Sequence, residues 1–266
     1  MSNKSAIVTG CSSGIGRAIA LELTARGYEV VATARRHESI ADLPVARTLN
    51  LDVDSDDSVA EARAAVGPVD VVVNNAGFGI DGSVEEVPLV EVRRAFETNF
   101  FGAARMIQAF VPAMRERGSG TIVNVTSVAG IVGGPLSGFY SATKFALEAL
   151  SESLHLEVGH FGVRVLVVEP GSIATRFGDN MVDLRGPGPY AELAEKWEKA
   201  MGVLGGEEPT PGPELVARKV CDALEEDDNP LRLPVGADAE LIAASRQGAS
   251  YDDFVAAMRE YLRIDW

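Results

Sequence analysis

Ser5-Ala6-Ile7-Val8-Thr9-Gly10-Cys11-Ser12-Ser13-Gly14-Ile15-Gly16, with Ile19 and Leu23 beyond, is the stretch that decides the fold of this chain. A short apolar run ends at Thr9-Gly10, and the apolar residues then recur at helical spacing until Gly27. Strand, tight turn, helix is the only local reading consistent with both periods. Glycine lets such a turn bend sharply and approach a ligand closely. The helix behind it offers unpaired N–H groups and the positive end of its dipole, which suits a phosphate. Gly10, Ser12, Ser13, Gly14, Ile15 and Gly16 are therefore the candidate phosphate-binding residues. Their spacing is GxxxGxG, which differs from GxGxxG, and no Gly-Lys-Ser/Thr follows as in a P-loop.

Outward from this turn the alternation continues. Tyr28 to Thr33 reads as a second strand and Arg47 to Leu51 as a weaker third. Val69 to Val73 is a β-branched run closed by Asn74-Asn75-Ala76-Gly77. Thr121 to Val125 and Val163 to Val168 follow, the latter ending at Pro170-Gly171, and Leu231 to Val235 is a candidate last strand. Between them lie helical patterns from Ser55, over Leu89–Arg117 and over Phe139–His160, with Pro112 expected to interrupt the second. Continuous Val/Ile runs, without strict alternation, indicate strands buried on both faces, as in parallel sheets covered by helices. The expected fold is one α/β domain, residues 1–266, with a doubly wound parallel sheet of about seven strands and helices on both faces.

After Gly171 the texture changes. Residues 172–213 are rich in Gly and Pro around one helical stretch, Ala191–Met201, and are expected to form a substrate lid. Residues 214–266 form a C-terminal extension with a helix ending in the acidic cluster Glu225-Glu226-Asp227-Asp228 and an amphipathic helix over 250–263.

Composition removes several functions. The 266 residues carry a net charge of −15, which opposes binding to nucleic acid or to an anionic membrane surface. No apolar run approaches the ~18 residues that span a bilayer, and no signal peptide is readable. Cys11 and Cys221 form no CxxC pair, which fits a cytoplasmic protein without disulfides. Three histidines in no metal-ligand spacing leave no metal site to expect; His155, Glu157 and His160 read as surface or interface residues.

With the glycine turn, the later motifs resemble the short-chain dehydrogenase/reductase family, whose turn is TGxxxGxG. Asn74-Asn75-Ala76-Gly77 resembles its NNAG motif, and Tyr140-Ser141-Ala142-Thr143-Lys144 its YxxxK pair. Asn99, Ser127 and Pro170-Gly171 with Thr175 stand in matching order. The resemblance covers about residues 4–176, and the ordered conjunction is specific where each motif alone is weak. It implies a Rossmann-type NAD(P)-binding oxidoreductase. It further implies coenzyme contacts from Asp52, Val53, Asn75, Ala76, Gly77, Tyr140, Lys144, Pro170, Gly171, Ile173 and Thr175. By the same resemblance Lys144 binds the nicotinamide ribose, Asn99 holds a water that relays protons to Lys144, and the assembly is a homodimer or homotetramer.

The residue chemistry agrees. Tyr140 and Lys144 are four apart in a helix and share a face. A phenol titrates near 10, too high for base work at neutrality, and a neighbouring ammonium favours its phenolate. Ser127, at a strand's C-terminal end, is placed to hydrogen-bond a carbonyl oxygen; its neighbour Thr126 points to the opposite face. No GxSxG elbow surrounds Ser127, so it is not read as a hydrolase nucleophile.

Coenzyme choice turns on the end of the second strand. An acidic residue there would meet a ribose 2′-OH, whereas an Arg meets a 2′-phosphate. This chain has Ala34 then Arg35, which indicates NADP(H), with NAD(H) as the alternative and Glu38 nearby to pair Arg35 or Arg36. Phe177, Met181, Leu184, Tyr190, Trp197 and Met201 after strand six, with Gly133-Gly134-Pro135-Leu136, favour a small hydrophobic ketone or aldehyde and its alcohol. The competing reading is that these apolar residues only pack the lid onto the domain. A catalytically silent NADP(H)-sensing protein is the rival from another class.

Overall fold

β1 (Ser5–Val8) sends Ala6 and Val8 to one face of the sheet and Ile7 to the other. All three are fully buried, so the strand at the centre of the molecule is covered on both sides. The computed structural model describes residues 4–204, 209–226 and 230–263. Gly205, Gly206, Asp227 and Asp228 lie outside the described residues.

The chain runs from β1 through α1 (Gly14–Ala25) to β2 (Glu29–Ala34) and β3 (Arg47–Asn50). It returns by α2 (Asp56–Val66) to β4 (Val71–Asn74) on the far side of β1. β5 (Ile80–Asp81), α3 (Leu89–Phe96), α4 (Gly102–Arg117) and β6 (Gly120–Val125) follow. α5 (Gly138–Val158) leads to β7 (Val163–Pro170), then β8 (Val182–Asp183) and α6 (Ala191–Leu204). α7 (Pro213–Glu225), β9 (Arg232–Val235), α8 (Ala237–Arg246) and α9 (Tyr251–Leu262) complete the described chain.

Seven strands form one parallel sheet in the order β3-β2-β1-β4-β6-β7-β9. On one face Ile19 and Leu23 of α1 pack with Val216 and Val220 of α7. The other face carries Val59 of α2, Met106 and Phe110 of α4 and Leu154 of α5. The order reverses between β1 and β4, which opens a crevice beyond their C-terminal ends. The doubly wound α/β fold is the expected one.

Local differences are informative. Pro112 does not end its helix: α4 runs through it to Arg117. The carbonyl of Gln108, which loses its partner, lies on the exposed side with Pro112, where water can serve it. The break in the long helix falls instead at a π turn, Glu97–Phe101, with Asn99 buried at its centre. The two-residue strands β5 and β8 pair through Ile80 with Val182 and Asp81 with Asp183, a ladder too short to leave a periodic signal. α8 also has no counterpart in the periodicity reading. His155, Glu157 and His160 are exposed, as expected.

Candidate functional site

Every strand that meets the crevice delivers residues to it at its C-terminal end. Thr9 and Asn75 lock two of these loops together. The Thr9 hydroxyl accepts the Asn75 and Ala76 N–H groups at 2.9 and 3.0 Å, and the Asn75 amide donates back to Thr9 O at 2.9 Å. Gly10 has φ +73°, and a Cβ there would sit 2.9 Å from Ala76 Cα, so only glycine admits this contact. Gly16 lies behind the turn against the Asn75 amide, off the cleft wall.

The resulting cleft measures about 740 Å³. Ser12, Ser13, Gly14 and Ile15 line it at the start of α1, whose first turn holds no acidic residue and whose Ser13 makes no side-chain cap. The N–H groups there remain available to an anion. Arg35 lines the cleft next to Ala34, and Asp52 and Val53 stand across from it. Among the described residues no carboxylate pairs with Arg35: Glu38 sits 3.5 Å from His37, and Asp42 holds Arg17 on α1. Asn75, Ala76, Gly77, Pro170, Gly171, Ile173 and Thr175 also line this wall.

Ser127, Tyr140 and Lys144 converge at the far end of the cleft. Ser127 follows β6 and caps a short turn, its Oγ accepting the Ala129 N–H at 3.1 Å and donating to Pro170 O at 3.5 Å. The Thr126 hydroxyl is engaged inward, its one proton shared between Glu148 Oε1 at 2.5 Å and Val168 O at 2.9 Å, so Ser127 is the hydroxyl left facing the cleft. Lys144 Nζ donates to Val125 O at 3.1 Å and lies 5.7 Å from the Tyr140 ring centroid.

Electrostatics here depart from the expected lowering of the phenol. Burial pushes Tyr140 up to about 12, with the Ser127 hydroxyl pulling the other way. Burial also brings Lys144 down to about 8, while the Glu148 carboxylate one turn on works to raise it. Desolvation thus outweighs the Ser127 hydrogen bond, and the phenol keeps its proton at neutral pH.

Asn99 is 1% exposed and its amide is fully engaged. Oδ1 accepts the Phe78 N–H at 3.0 Å, and Nδ2 donates to Phe78 O at 2.9 Å and to Thr143 Oγ1 at 3.1 Å. Its side chain therefore ties the π turn to the loop after β4 and to the helix of Tyr140. Sequence reasoning missed Phe78, Arg94 and Thr98, which also line the cleft. It missed as well two buried carboxylates met by the half-exposed Arg232, Glu169 at 3.1 Å and Glu148 at 3.2 Å. Burial, with Glu148 adding to it, raises the Glu169 carboxyl to about 7. Only their sequence separation hid these contacts.

The apolar residues after strand six divide into two sets. Phe177 stands 5.9 Å from the Tyr140 ring, and Met181 lines the cleft beside it. Trp197 and Met201 pack α6 with Ile242 of α8, Leu262 of α9 and Val128 and Val132 of the loop after β6, and the Trp197 ring lies against Gly134. Arg185 straps it down, reaching Asp183 at 2.7 Å and Asp81 at 3.6 Å.

The profile of the short chain dehydrogenase family matches residues 4–184. A 3-ketodihydrosphingosine reductase of Bacteroides thetaiotaomicron is 34% identical over 264 residues, covering 97% of this chain and 96% of that protein. A short-chain dehydrogenase structure from Streptomyces avermitilis superposes with a TM-score of 0.85 at 37% identity, covering 98% and 97% of the two chains. Another, from Burkholderia cenocepacia J2315 in complex with NADP, gives 0.79 at 26% identity and 99% coverage of each. The chain belongs to the short chain dehydrogenase family and is an oxidoreductase.

Proposed function

We propose that this protein is an NADP(H)-dependent reductase that converts a hydrophobic ketone or aldehyde to its alcohol. The observation carrying this reading is the convergence of Ser127, Tyr140 and Lys144 at one end of a cleft whose other end holds an open helix N-terminus and Arg35. The cleft fits a dinucleotide: its volume lies within the range of small-molecule sites, and its wall pairs N–H donors with a cation. The α1 N-terminus would hold the pyrophosphate and Arg35 a 2′-phosphate, with Asp52 and Val53 beside the adenine. The coenzyme, when bound, supplies a hydride to the carbonyl carbon.

The remaining chemistry belongs to the chain. Ser127 Oγ hydrogen-bonds the carbonyl oxygen and orients it. Tyr140, protonated at neutral pH, donates its phenolic proton to that oxygen in reduction and takes it back in oxidation. Lys144 holds the ribose and offers positive charge to the phenolate left behind. Asn99 positions the helix of Tyr140 through Thr143 and anchors the proton relay toward Lys144. Phe177 and Met181 cover the reacting carbon with apolar surface, and residues 172–213 act as the lid. The similarity to a 3-ketodihydrosphingosine reductase of Bacteroides, named for a keto compound, supports a carbonyl substrate.

Two further readings complete the proposal. The assembly is a homodimer or homotetramer built on the outer face of α5, where Phe145 and Leu156 are exposed; Met106, Phe110 and Leu154 are committed to the core. The location is cytoplasmic, supported by two buried free thiols; no described helix is long and apolar enough to cross a membrane. The central test is NADPH oxidation against a panel of apolar ketones and aldehydes. Turnover that stops in Tyr140→Phe supports the reading. Tight NADPH binding with no turnover on any carbonyl would favour the silent sensing protein instead.

A further inference from the structure

The segment after Val235 reads in sequence as an appendage, yet one of its side chains reaches the wall of the cleft. Asp238, in the first turn of α8, is 8% exposed. Its Oδ2 accepts the Ser172 N–H at 2.6 Å and its Oδ1 the Ala239 N–H at 2.9 Å. Ser172 follows Gly171 directly, and both line the cleft with Ile173 and Thr175 of the same loop. The Gly171 N–H is held from the same side, donating to Val235 O at 3.0 Å. A Cβ on Gly171 would overlap the Asp238 carboxylate, so glycine at this position serves the approach of that carboxylate.

Asp238 does not itself line the cleft, so a coenzyme would feel it only through the loop. One turn further along the same face, Ile242 packs with Ala200 and Leu204 of α6. α8 therefore touches the loop after β7 with one residue and the seat of the lid helix with the next. We propose, on the dinucleotide reading above, that Asp238 is a positioning residue for the coenzyme: its carboxylate holds residues 171–175 against the half of the dinucleotide nearest Ser127. A charge-assisted bond to a backbone amide is among the stronger ways to fix a loop.

A carboxylate that merely caps α8 would affect stability and leave coenzyme affinity alone. The two roles separate in Asp238→Ser, which keeps a short acceptor for the helix and withdraws the oxygen that reaches Ser172. Titration with NADPH, followed by fluorescence, and steady-state kinetics on an active carbonyl are the measurements. Asp238→Ser and Asp238→Ala should raise the coenzyme Kd and KM about tenfold, an ordinary loss for one such bond. The kcat at saturating coenzyme and the KM for the carbonyl should stay within about twofold. Asp238→Asn, with one acceptor left, should recover part of the affinity and keeps the test available if the smaller residues unfold the protein. A wild-type coenzyme Kd in the folded variants, or a lost kcat with that Kd unchanged, overturns the proposal. If the wild-type protein binds neither NADPH nor NADH, the dinucleotide reading fails instead.

Discussion

The wall of the cleft built by residues 5–77 and the cover built by residues 172–204 do their work with different parts of the chain. The first relies on backbone: Gly10 and the bare start of α1 leave N–H groups where an anion would lie, and the Thr9–Asn75 lock holds the neighbouring loop in place. The second is made of side chains, with Phe177 over Tyr140 and Arg185 strapping two aspartates. Backbone geometry is shared by any ligand carrying the same phosphates, whereas side chains in a pocket select among ligands. Coenzyme affinity should therefore be robust to most side-chain changes, and substrate choice should be sensitive to them.

Four substitutions break or sharpen this contrast. Tyr140→Phe removes the proton donor where wall and cover meet, and should lower kcat about 10²–10⁴-fold with coenzyme Kd unchanged in a fluorescence titration. Arg35→Ala removes the one side chain on which the wall's selectivity depends. Its NADPH KM should rise by about 10–100-fold and its NADH KM by less than about threefold, since only the first carries the 2′-phosphate. Equal changes for the two coenzymes would sink the NADP(H) reading. Phe177→Ala lies wholly in the cover, and should raise the KM of an apolar ketone about fivefold, the worth of a partly buried ring contact, without moving either coenzyme.

The smallest effect is a shift along the pH axis. Lys144, brought down to about 8, loses its charge as pH rises through that value. The kcat/KM for reduction should fall there while Tyr140, near 12, still holds its proton. The Glu148 carboxylate works to raise Lys144, so Glu148→Gln should move the fall to lower pH. A profile that stays in place, or moves upward, would remove Glu148 from the site's electrostatics.

Much of the wall was legible in the chain because its signals are local. Gly10 to Gly16, Asn75 to Gly77 and Tyr140 with Lys144 each act within a few residues of one another, at a strand end or along one helix face. The π turn at Glu97–Phe101 was not legible, because it depends on the Asn99 amide finding Phe78 and Thr143. Nor were the different neighbours of Phe177 and Trp197, whose chemistry is similar. The expected lowering of Tyr140 failed for a related reason: spacing measures proximity to an ammonium and carries no measure of burial.

What the sequence by itself determined is the succession of the seven sheet strands and the main helices between them, the turn that opens α1 and the identity of the three converging side chains. Local periodicity and backbone sterics suffice for those. Tertiary structure alone decided that Asp238 lies against Gly171, that Glu148 stands behind Thr126 and Lys144, and that the phenol keeps its proton. Each depends on residues distant in the chain being buried together, and desolvation exists only once the fold has closed around them.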